Sequence, residues 1–253
     1  MATLSAVIIT YNEETNIAAC LTSVAWADEL IVMDSGSTDR TLDICREFGA
    51  KVFHQPWLGY AAQKNAAIAL ASQDWILSLD ADERVTPELA AAIRAVLSGP
   101  EPAVLGYQVR RRVFFRNKWL RHGGFYPERL VRLIKRGYGR FGDRAVHEAL
   151  ELNGRTGRLE YDLEHYTYRS VTDYVDRMQR YSTLAAQEYH KSGRKTGPCR
   201  MAGRSIFTFF QMYVLRLGFL DGYEGFLMAG LYAIYTFVKY AKLREIDLED
   251  RGD

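Results

Sequence analysis

The sequence is poor in cysteine and in proline, and both shortages limit the class of protein that it encodes. Only three cysteines occur, Cys20, Cys45 and Cys199, in apolar or helical surroundings. This odd, small number argues against a disulfide framework and fits reduced thiols in a cytosolic compartment. Only six prolines occur in 253 residues, which are 48% apolar and contain no low-complexity tract. We therefore predict a sizeable core, with one main domain plus an extension.

Long hydrophobic runs are also missing. The longest uninterrupted apolar run, residues 226–238, is shorter than the roughly 20 residues that a membrane-spanning helix needs. The N-terminus passes directly into a predicted strand, which leaves no room for a signal peptide. We therefore expect a protein without a spanning helix, whose functional site stays on the cytosolic side.

What the sequence does contain is a cluster of carboxylates behind a short apolar run. Residues 75–79 have the character of a buried strand, and Asp80, Asp82 and Glu83 follow it. Carboxylates two residues apart at a strand end can reach one hard cation, and such an ion can neutralise a diphosphate leaving group. The alternative is a solvated turn before a helix that begins near residue 86.

Two further polar segments upstream also follow apolar runs. The runs and their polar segments are 6–9 with 10–13, and 30–33 with 34–39. A helix is predicted over residues 41–48, stopped at Gly49, and a third strand is predicted over residues 51–53. Alternating short strands and amphipathic helices indicate a parallel α/β sheet, whose ligands collect at the carboxyl ends of the strands. We expect the three polar clusters to share one crevice.

Four motifs in these segments resemble those of the nucleotide-binding half of a family 2 glycosyltransferase, and they occur in family order. The motifs are Thr10-Tyr11-Asn12-Glu13, Asp34-Ser35-Gly36-Ser37-Thr38-Asp39, Gln63-Lys64-Asn65 and Asp80-Ala81-Asp82. Each motif follows the strand or helix that it follows in the family, and the four together are specific for that family. Two later segments look more narrowly like the bacterial lipopolysaccharide inner-core glucosyltransferases of that family, namely Val146-His147-Glu148 and His165-Tyr166-Thr167-Tyr168.

The resemblance implies a GT-A-like α/β fold, with a mostly parallel central sheet flanked by helices and a Rossmann-like nucleotide-binding half. It also implies a UDP-sugar donor and a divalent metal ion, Mg²⁺ or Mn²⁺, between which carboxylates alone do not decide. We predict a catalytic domain over residues 1–170, with nucleotide-sugar binding in 1–105 and the acceptor side in 106–170. A helical, membrane-associated extension is predicted over residues 171–253.

The resemblance also implies roles for individual residues. Asp34 matches the aspartate that accepts a hydrogen bond from uracil, for which a carboxylate suits an imide N–H, whereas helix capping is the alternative there. Asp80 would face the ribose and the metal, and Asp82 would be the direct metal ligand beside the diphosphate. Lys64 occupies a position near the nucleotide where relatives commonly have an arginine, and its ammonium group is a point charge without the forked geometry of a guanidinium. The other residues expected at the nucleotide are Thr10, Asn12 and Glu13.

Transfer to a hydroxyl needs a base, because the acceptor must lose a proton as it attacks the anomeric carbon. The resemblance places an acidic residue after the metal motif in this role. Glu148 is our candidate, and His147 would orient it or contact phosphate. The alternatives are a surface glutamate on a strand and a packed, hydrogen-bonded histidine. No cysteine has an obvious partner and no Gly-x-Ser-x-Gly elbow occurs, so single displacement with inversion is favoured.

The net charge of +2 hides a strong segregation of charge. Residues 1–105 contain 6 basic and 14 acidic side chains, residues 106–144 contain 12 basic and 2 acidic ones, and the rest contain 15 of each. The basic stretch predicts an anionic partner, either a phosphorylated glycolipid or bilayer headgroups. We predict no nucleic-acid partner, since no recognisable nucleic-acid motif accompanies these residues. A solvated face of ordinary strands is the alternative.

The C-terminal third consists of helical, aromatic and apolar segments. Helical spacing predicts a helix over residues 172–192, followed by a break at 194–198. Residues 205–220 and 225–238 are aromatic and apolar, with Arg216 as the only charged residue inside them. These segments predict two helices in the membrane interface, or a hairpin that dips into it. A buried helical pair on the catalytic domain, or a dimer interface, is the alternative.

The residues and the resemblance together predict a metal-dependent, inverting hexosyltransferase, peripheral to the cytoplasmic face of the bacterial inner membrane. It would move a hexose, with glucose expected, from a UDP-sugar to a hydroxyl of an anionic membrane acceptor, the lipopolysaccharide inner core. The second hypothesis is a polyprenyl-phosphate sugar transferase, and the third is a catalytically inactive module that binds nucleotide sugars or nucleic acid. A sugar nucleotidyltransferase does not fit, because residues 11–13 replace its glycine-rich loop.

Overall fold

The computed structural model describes residues 1–142 and 149–250. The chain forms two compact units, unit 1 with Met1–Arg111 and Glu128–His165, and unit 2 with Arg112–Pro127 and Tyr166–Asp253. The candidate base Glu148 and its neighbour His147 lie outside the described residues. The predicted domain boundaries at residues 105 and 170 stay predictions.

Unit 1 begins with alternating strands and helices. These are β1 (Leu4–Thr10), α1 (Ile17–Val24), β2 (Glu29–Asp34), α2 (Thr41–Glu47), β3 (Lys51–His54), α3 (Tyr60–Ala69), β4 (Trp75–Asp80), β5 (Glu83–Val85) and α4 (Pro87–Ser98). The helix predicted over 41–48 and the strand predicted over 51–53 are confirmed as α2 and β3. Thr86 caps α4, because its hydroxyl accepts a hydrogen bond from the Leu89 N–H.

The remaining strands convert a parallel sheet into a mixed one. They are β6 (Gly106–Phe115), β7 (Lys118–Leu120), β8 (Glu128–Lys135), β9 (Gly139–Phe141), β10 (Leu150–Leu152) and β11 (Thr156–Tyr168). The sheet order is β3-β2-β1-β4-β8-β6-β11-β5, and β7 pairs with β6. The strands β1 to β4 pair in parallel, whereas β8 runs antiparallel to β4 and β6 antiparallel to β8. The predicted α/β class is therefore confirmed, and the strands β1 to β4 form a parallel part of a mixed sheet.

Alternate residues of β1 belong to two separate cores. Leu4, Ala6 and Ile8 pack with apolar residues of α1 and α4, while Val7 and Ile9 pack with residues of α3. Apolar side chains thus leave β1 on both faces, which is why the strand is a continuous apolar run with helices on either side. Thr10, Asp34 and Asp80 are the last residues of β1, β2 and β4, so their polar side chains lie where these parallel strands end.

Unit 2 is mainly helical. After the end of β6, β7 and the end of β11, it contains α5 (Val171–Lys191), α6 (Pro198–Phe210), a π-helix (Gln211–Leu215), a 3₁₀-helix (Gly218–Asp221) and α7 (Gly222–Glu249). The helix predicted over 172–192 and the break predicted at 194–198 are confirmed. Residues Tyr174 and Met178 of α5 share a core with Met228 and Leu231 of α7. In the described part of the chain, no helix combines the length and the apolar character needed to cross a bilayer.

Candidate active site

The polar residues that follow the first strands meet at one edge of the sheet in unit 1. Thr10 at the end of β1 is the register partner of Asp34 at the end of β2, and Asp34 is that of His54 on β3. On the other side of β1, Ile9 is the register partner of Asp80, the last residue of β4. Thr10 Oγ1 is buried there without a hydrogen-bond partner among the described residues. The predicted polar clusters therefore share one edge.

The loop after β1 is held by the loop after β2. Asn12 has a φ of +52°, a conformation that asparagine tolerates better than most residues. Its backbone N–H donates to Ser37 Oγ at 2.9 Å, and its Oδ1 accepts from the Thr38 N–H at 2.8 Å. Glu13, predicted to lie at the nucleotide, accepts a hydrogen bond from the Asn16 side chain at 2.9 Å. The two loops thus form one hydrogen-bonded rim.

Asp34 is buried, with 1% of the residue exposed, and its carboxylate organises the loop that follows it. Its oxygens accept hydrogen bonds from the N–H of Gly36 at 2.8 Å, from the N–H of Ser37 at 3.0 Å and from Ser37 Oγ at 2.5 Å. Gly36 has a φ of +105°, a backbone conformation that favours glycine. These contacts stabilise a turn and do not cap a helix, because α2 begins only at Thr41. Recognition of uracil by Asp34 stays a prediction.

Asp80 lies between two cationic side chains. Lys64 Nζ contacts its Oδ1 at 2.8 Å, and Arg132 Nη2 donates to its Oδ2 at 3.0 Å. Both cations are nearly buried, with 6% of Lys64 and 4% of Arg132 exposed. Burial alone would raise the pKa of Asp80, but the charges of Lys64 and then of Arg132 hold that pKa well below its ordinary range. Asp80 is therefore an ionised carboxylate with both oxygens engaged.

Glu83 is fully buried behind Asp80 and completes a network of charges. Its Oε1 accepts a hydrogen bond from Arg132 at 2.5 Å and lies 3.5 Å from Arg111 Nη1, while its Oε2 accepts from the Asp80 N–H at 3.0 Å. Burial would lower the pKa of Arg132, but the carboxylates of Glu83 and Asp80 raise it above its ordinary value. The Glu83 carboxylate therefore fixes Arg132 and the backbone of Asp80 together.

Asp82 faces an imidazole. Its Oδ1 lies 3.3 Å from Nε2 of His165 on β11, and both residues are almost buried. Among the described residues, no three His, Cys, Asp or Glu side chains form a group that could hold a metal ion. However, Mg²⁺ is commonly bound by one or two carboxylates together with substrate phosphates. The donor set of Asp82 and His165 therefore fits a divalent ion when a diphosphate supplies further oxygens.

The structure brings together the predicted residues Thr10, Asn12, Asp34, Lys64, Asp80 and Asp82. Sequence reasoning missed Arg132 and the role of Glu83, and it assigned no part to His165. Arg132 and His165 reach the site from β8 and β11, so no local spacing signals them, and only the acidic excess before residue 105 hints at cationic partners.

Several basic residues of the stretch 106–144 form ion pairs inside unit 1. The pairs are Arg110 with Asp162, Arg111 with Glu128, Arg129 with Glu160, Arg132 with Glu83, and Lys135 with Glu101. By contrast, Arg116, Lys118 and Arg121 of unit 2 are exposed and have no carboxylate partner within the described residues. These exposed residues of unit 2 are available to the predicted anionic partner, which stays a prediction.

A mixed α/β sheet that gathers carboxylates and buried cations beside its parallel strand ends fits an enzyme that binds a nucleotide diphosphate. The family model described as glycosyl transferase family 2 matches residues 5–210. The chain therefore belongs to glycosyltransferase family 2, as the resemblance implied. It is 32% identical over 257 residues to the lipopolysaccharide core biosynthesis glycosyltransferase LpsC of Rhizobium meliloti, an alignment that covers 95% of this chain and 91% of LpsC.

Two solved glycosyltransferase structures have a similar fold. The mannosyltransferase PcManGT from Pyrobaculum calidifontis, in complex with GDP-Man and Mn²⁺, is 15% identical with a TM-score of 0.56, over 96% of this chain and 87% of that one. S. aureus TarS 1–349, in complex with UDP-GlcNAc, is 15% identical with a TM-score of 0.51, over 99% and 92%. At this identity the similarity concerns the fold alone, and it confirms the predicted GT-A-like fold.

Proposed function

We propose that this glycosyltransferase is metal-dependent and inverting, and that it transfers a hexose from a UDP-sugar to a hydroxyl of an anionic membrane acceptor. The observation that carries the proposal is the Asp82–His165 pair beside the buried cations Lys64 and Arg132 at one strand edge. A carboxylate with an imidazole suits a divalent ion, and cationic side chains suit a diphosphate.

Each side chain has a distinct part in donor binding. Asp82 and His165 would hold the divalent ion, which when bound neutralises charge on the diphosphate. Lys64 and Arg132 keep Asp80 ionised and reduce the negative charge of the edge that receives the donor. Thr10, Asn12, Glu13 and Asp34 lie on the rim, and we assign them to binding of the uracil ring and the ribose.

The proposed acceptor is the lipopolysaccharide inner core, and the proposed sugar is glucose. The name of LpsC includes lipopolysaccharide core biosynthesis, and this relative aligns with almost the whole chain. Unit 2 has 17 basic and 10 acidic side chains, whereas unit 1 has 16 basic and 21 acidic ones. The excess of positive charge on unit 2 suits an anionic membrane acceptor. Such an acceptor implies a peripheral protein at the cytoplasmic face of the inner membrane.

Calorimetric titration tests the donor assignment. Wild type, Asp82→Asn and Asp74→Asn are titrated with UDP-glucose, UDP-galactose, UDP-N-acetylglucosamine and GDP-mannose, in Mn²⁺ or in EDTA. We expect one UDP-sugar to bind only with the metal, and Asp82→Asn to weaken this binding at least about tenfold. Asp74 is a matched control because it precedes β4 at the opposite end of the strand, where its side chain accepts hydrogen bonds from Thr3.

The donor proposal fails if no nucleotide sugar binds in either condition, or if Asp82→Asn binds the donor as tightly as wild type does. Metal-dependent binding of GDP-mannose alone would overturn the assignment of uridine. An equal loss in Asp74→Asn and Asp82→Asn would also contradict it, because a general loss of folding would then explain both.

The base is tested separately. Glu148 remains our proposal for deprotonation of the acceptor hydroxyl, and Glu148→Gln should lower kcat at least about 100-fold while UDP-sugar binding stays unchanged. A near-normal rate would favour transfer to a polyprenyl phosphate, because a phosphate acceptor is already ionised and needs no base. The readout is the turnover of the donor measured with and without the acceptor.

A further inference from the structure

The segment that joins α6 to α7 carries many exposed apolar side chains. We call residues 211–223 the tip, which contains the π-helix and the 3₁₀-helix of unit 2 and the first two residues of α7. Loop tips in proteins normally expose small and polar residues. The tip instead exposes Val214, Leu215, Leu217, Phe219, Leu220 and Tyr223, with exposed fractions from 40% to 70%.

The two charged residues of the tip are engaged with another loop of unit 2. Asp221 is 5% exposed, and its Oδ2 accepts hydrogen bonds from the N–H groups of Arg121 at 2.9 Å and His122 at 2.8 Å, while its Oδ1 lies 2.9 Å from His122 Nδ1. The Arg216 carbonyl accepts from the Gly123 N–H at 2.8 Å. The tip thus directs its acidic charge inward and leaves an apolar end.

The Arg216 side chain also turns toward this loop. Its guanidinium lies so close to Gly124 that an added Cβ would overlap with it, and Gly124 has a φ of +95°. A side chain at Gly124 would therefore be strained by its backbone and would displace the arginine. The loop of residues 121–124 and the tip are built as one hydrogen-bonded piece.

The direction of the exposed side chains distinguishes a bilayer from a second copy of the chain. Leu215, Leu217, Phe219 and Leu220 are nearly consecutive, so they leave the π-helix, its turn and the 3₁₀-helix on several sides. A protein partner covers one face of an element, whereas lipid surrounds an inserted element on all sides. The distribution over several sides therefore favours lipid.

Positive charge flanks the apolar end. Arg204 on α6 is ten residues before Val214, which at the rise of a helix corresponds to about 15 Å along the axis. Arg116, Lys118 and Arg121 of the same unit are exposed, and they lack carboxylate partners among the described residues. Insertion of the tip to the depth of an interfacial element, roughly 5–10 Å, would bring such cations toward the phosphates of anionic lipids.

We propose that the tip inserts into the interface of a bilayer that contains anionic lipids, and that the bonds of Asp221 hold the loop of residues 121–124 at the level of the headgroups. This inference rests on the proposed function only for its statement that the acceptor lies in a membrane. It assigns membrane attachment to the end of the helical hairpin that α6 and α7 form.

Vesicle sedimentation tests the tip. Wild type, Leu215→Glu/Leu220→Glu and the control Leu184→Glu are mixed with phosphatidylcholine vesicles, with or without one third phosphatidylglycerol. We expect wild type and Leu184→Glu to sediment with the anionic vesicles, and the tip variant to partition at least about tenfold more weakly. Leu184 is a suitable control because it lies on α5 of the same unit with 36% exposure.

Two measurements keep the result clear. Binding of UDP-glucose with Mn²⁺ in the absence of vesicles, together with circular dichroism, reports whether the tip variant is folded. If the folded tip variant binds vesicles as wild type does, the inference is wrong. It is equally wrong if wild type ignores vesicles and forms a dimer that the tip variant abolishes, because the tip would then bind a second copy. If vesicle binding depends on the tip although no nucleotide sugar binds, the inference stands and the proposed donor fails.

Discussion

At the scale of single residues, the Glu83 carboxylate is the most consequential charge in unit 1. It is fully buried and bonded to Arg132, which also holds Asp80. Removing one partner of a buried ion pair leaves an uncompensated charge in the interior. We therefore predict that Arg132→Met lowers the free energy of unfolding by about 3–5 kcal/mol, measured by urea denaturation.

The control for this variant is Arg129→Met on the same strand. Arg129 pairs with Glu160 through two hydrogen bonds at 2.9 and 2.8 Å, but that glutamate is 54% exposed. Exposed ion pairs contribute roughly 0–1 kcal/mol, so the Arg129 variant should lose little stability. Equal losses in the two variants would contradict the view that burial decides the cost.

Glu29 at the start of β2 should make stability depend on acidity. Burial alone would raise its pKa, but hydrogen bonds from Lys51, Ser5 and Ser72 lower it from 4.5 to about 2. A lowered pKa gives stability that is complete above pH 4.5 and is lost as the pH falls toward 2. We expect Glu29→Gln to lose at most about 3 kcal/mol of unfolding free energy at pH 7.

The measurement for Glu29 is chemical unfolding at several pH values. The difference in stability between wild type and Glu29→Gln should shrink between pH 4.5 and 2. For a variant at an exposed carboxylate, Glu47→Gln on α2, the difference in stability from wild type should stay constant over the same pH interval. A constant difference between wild type and Glu29→Gln would show that ionisation of Glu29 does not support the fold.

Some site residues are predictable from the sequence, and others are not, for a physical reason. Asp34, Asp80 and Asp82 follow apolar strands directly, so the local pattern locates them at the sheet edge. Arg132 and His165 reach the same place from antiparallel strands far along the chain. Their positions depend on how β8 and β11 pair, and that pairing has no local signature.

At the scale of elements, two of the three glycines of α7, Gly225 and Gly230, have opposite surroundings. A Cβ on Gly225 would overlap with the carbonyl oxygen of Gly218 in the 3₁₀-helix, whereas a Cβ on Gly230 would meet no atom within 4 Å. We predict that Gly225→Ala destabilises unit 2 by at least about 1 kcal/mol, because backbone must move. Gly230→Ala should stabilise it by about 0.5–1 kcal/mol through helix propensity.

Thermal unfolding followed by circular dichroism measures this pair. The two substitutions are chemically identical and lie in one helix, so each is the control for the other. A gain in stability for Gly225→Ala would mean that α7 does not need the close approach to the 3₁₀-helix.

The positions of α2 and α5 were predictable from the sequence, whereas the division of the segment after α5 into different helix types was not. The spacing of apolar residues correctly predicted α5, and Gly49 correctly marked the end of α2. The apolar segment 205–220 gave no sign that it would divide into α6, a π-helix and a 3₁₀-helix. Leu217 has a φ of +57°, which leucine rarely adopts, so local propensity argues against the turn that the tertiary contacts impose.

At the scale of the whole molecule, the two units differ in the sign of their charge, with an acidic excess in unit 1 and a basic excess in unit 2. If the position of the basic residues matters more than the net charge of the protein, Arg116→Gln/Lys118→Gln should weaken binding to anionic vesicles about tenfold or more. Lys135→Gln/Arg136→Gln in unit 1 changes net charge equally and should have little effect. Wild-type binding should also weaken as NaCl rises from about 0.05 to 0.5 M.

Sedimentation across the salt series measures these differences. Equal weakening by the two pairs of substitutions would assign the attraction to net charge. If vesicle binding does not change with salt, the attraction comes from apolar insertion alone, and Arg116 and Lys118 have no electrostatic role in it.

The discontinuity of unit 2 has a practical consequence for exchanging parts between relatives. Its two segments are separated along the chain by Glu128–His165, and Asp221 of one segment holds the backbone of Arg121 and His122 in the other. A chimera joined at one point near residue 170 would combine a loop from one parent with an aspartate from the other. Transplanting the helical hairpin therefore requires two crossovers that carry Arg112–Pro127 along with it.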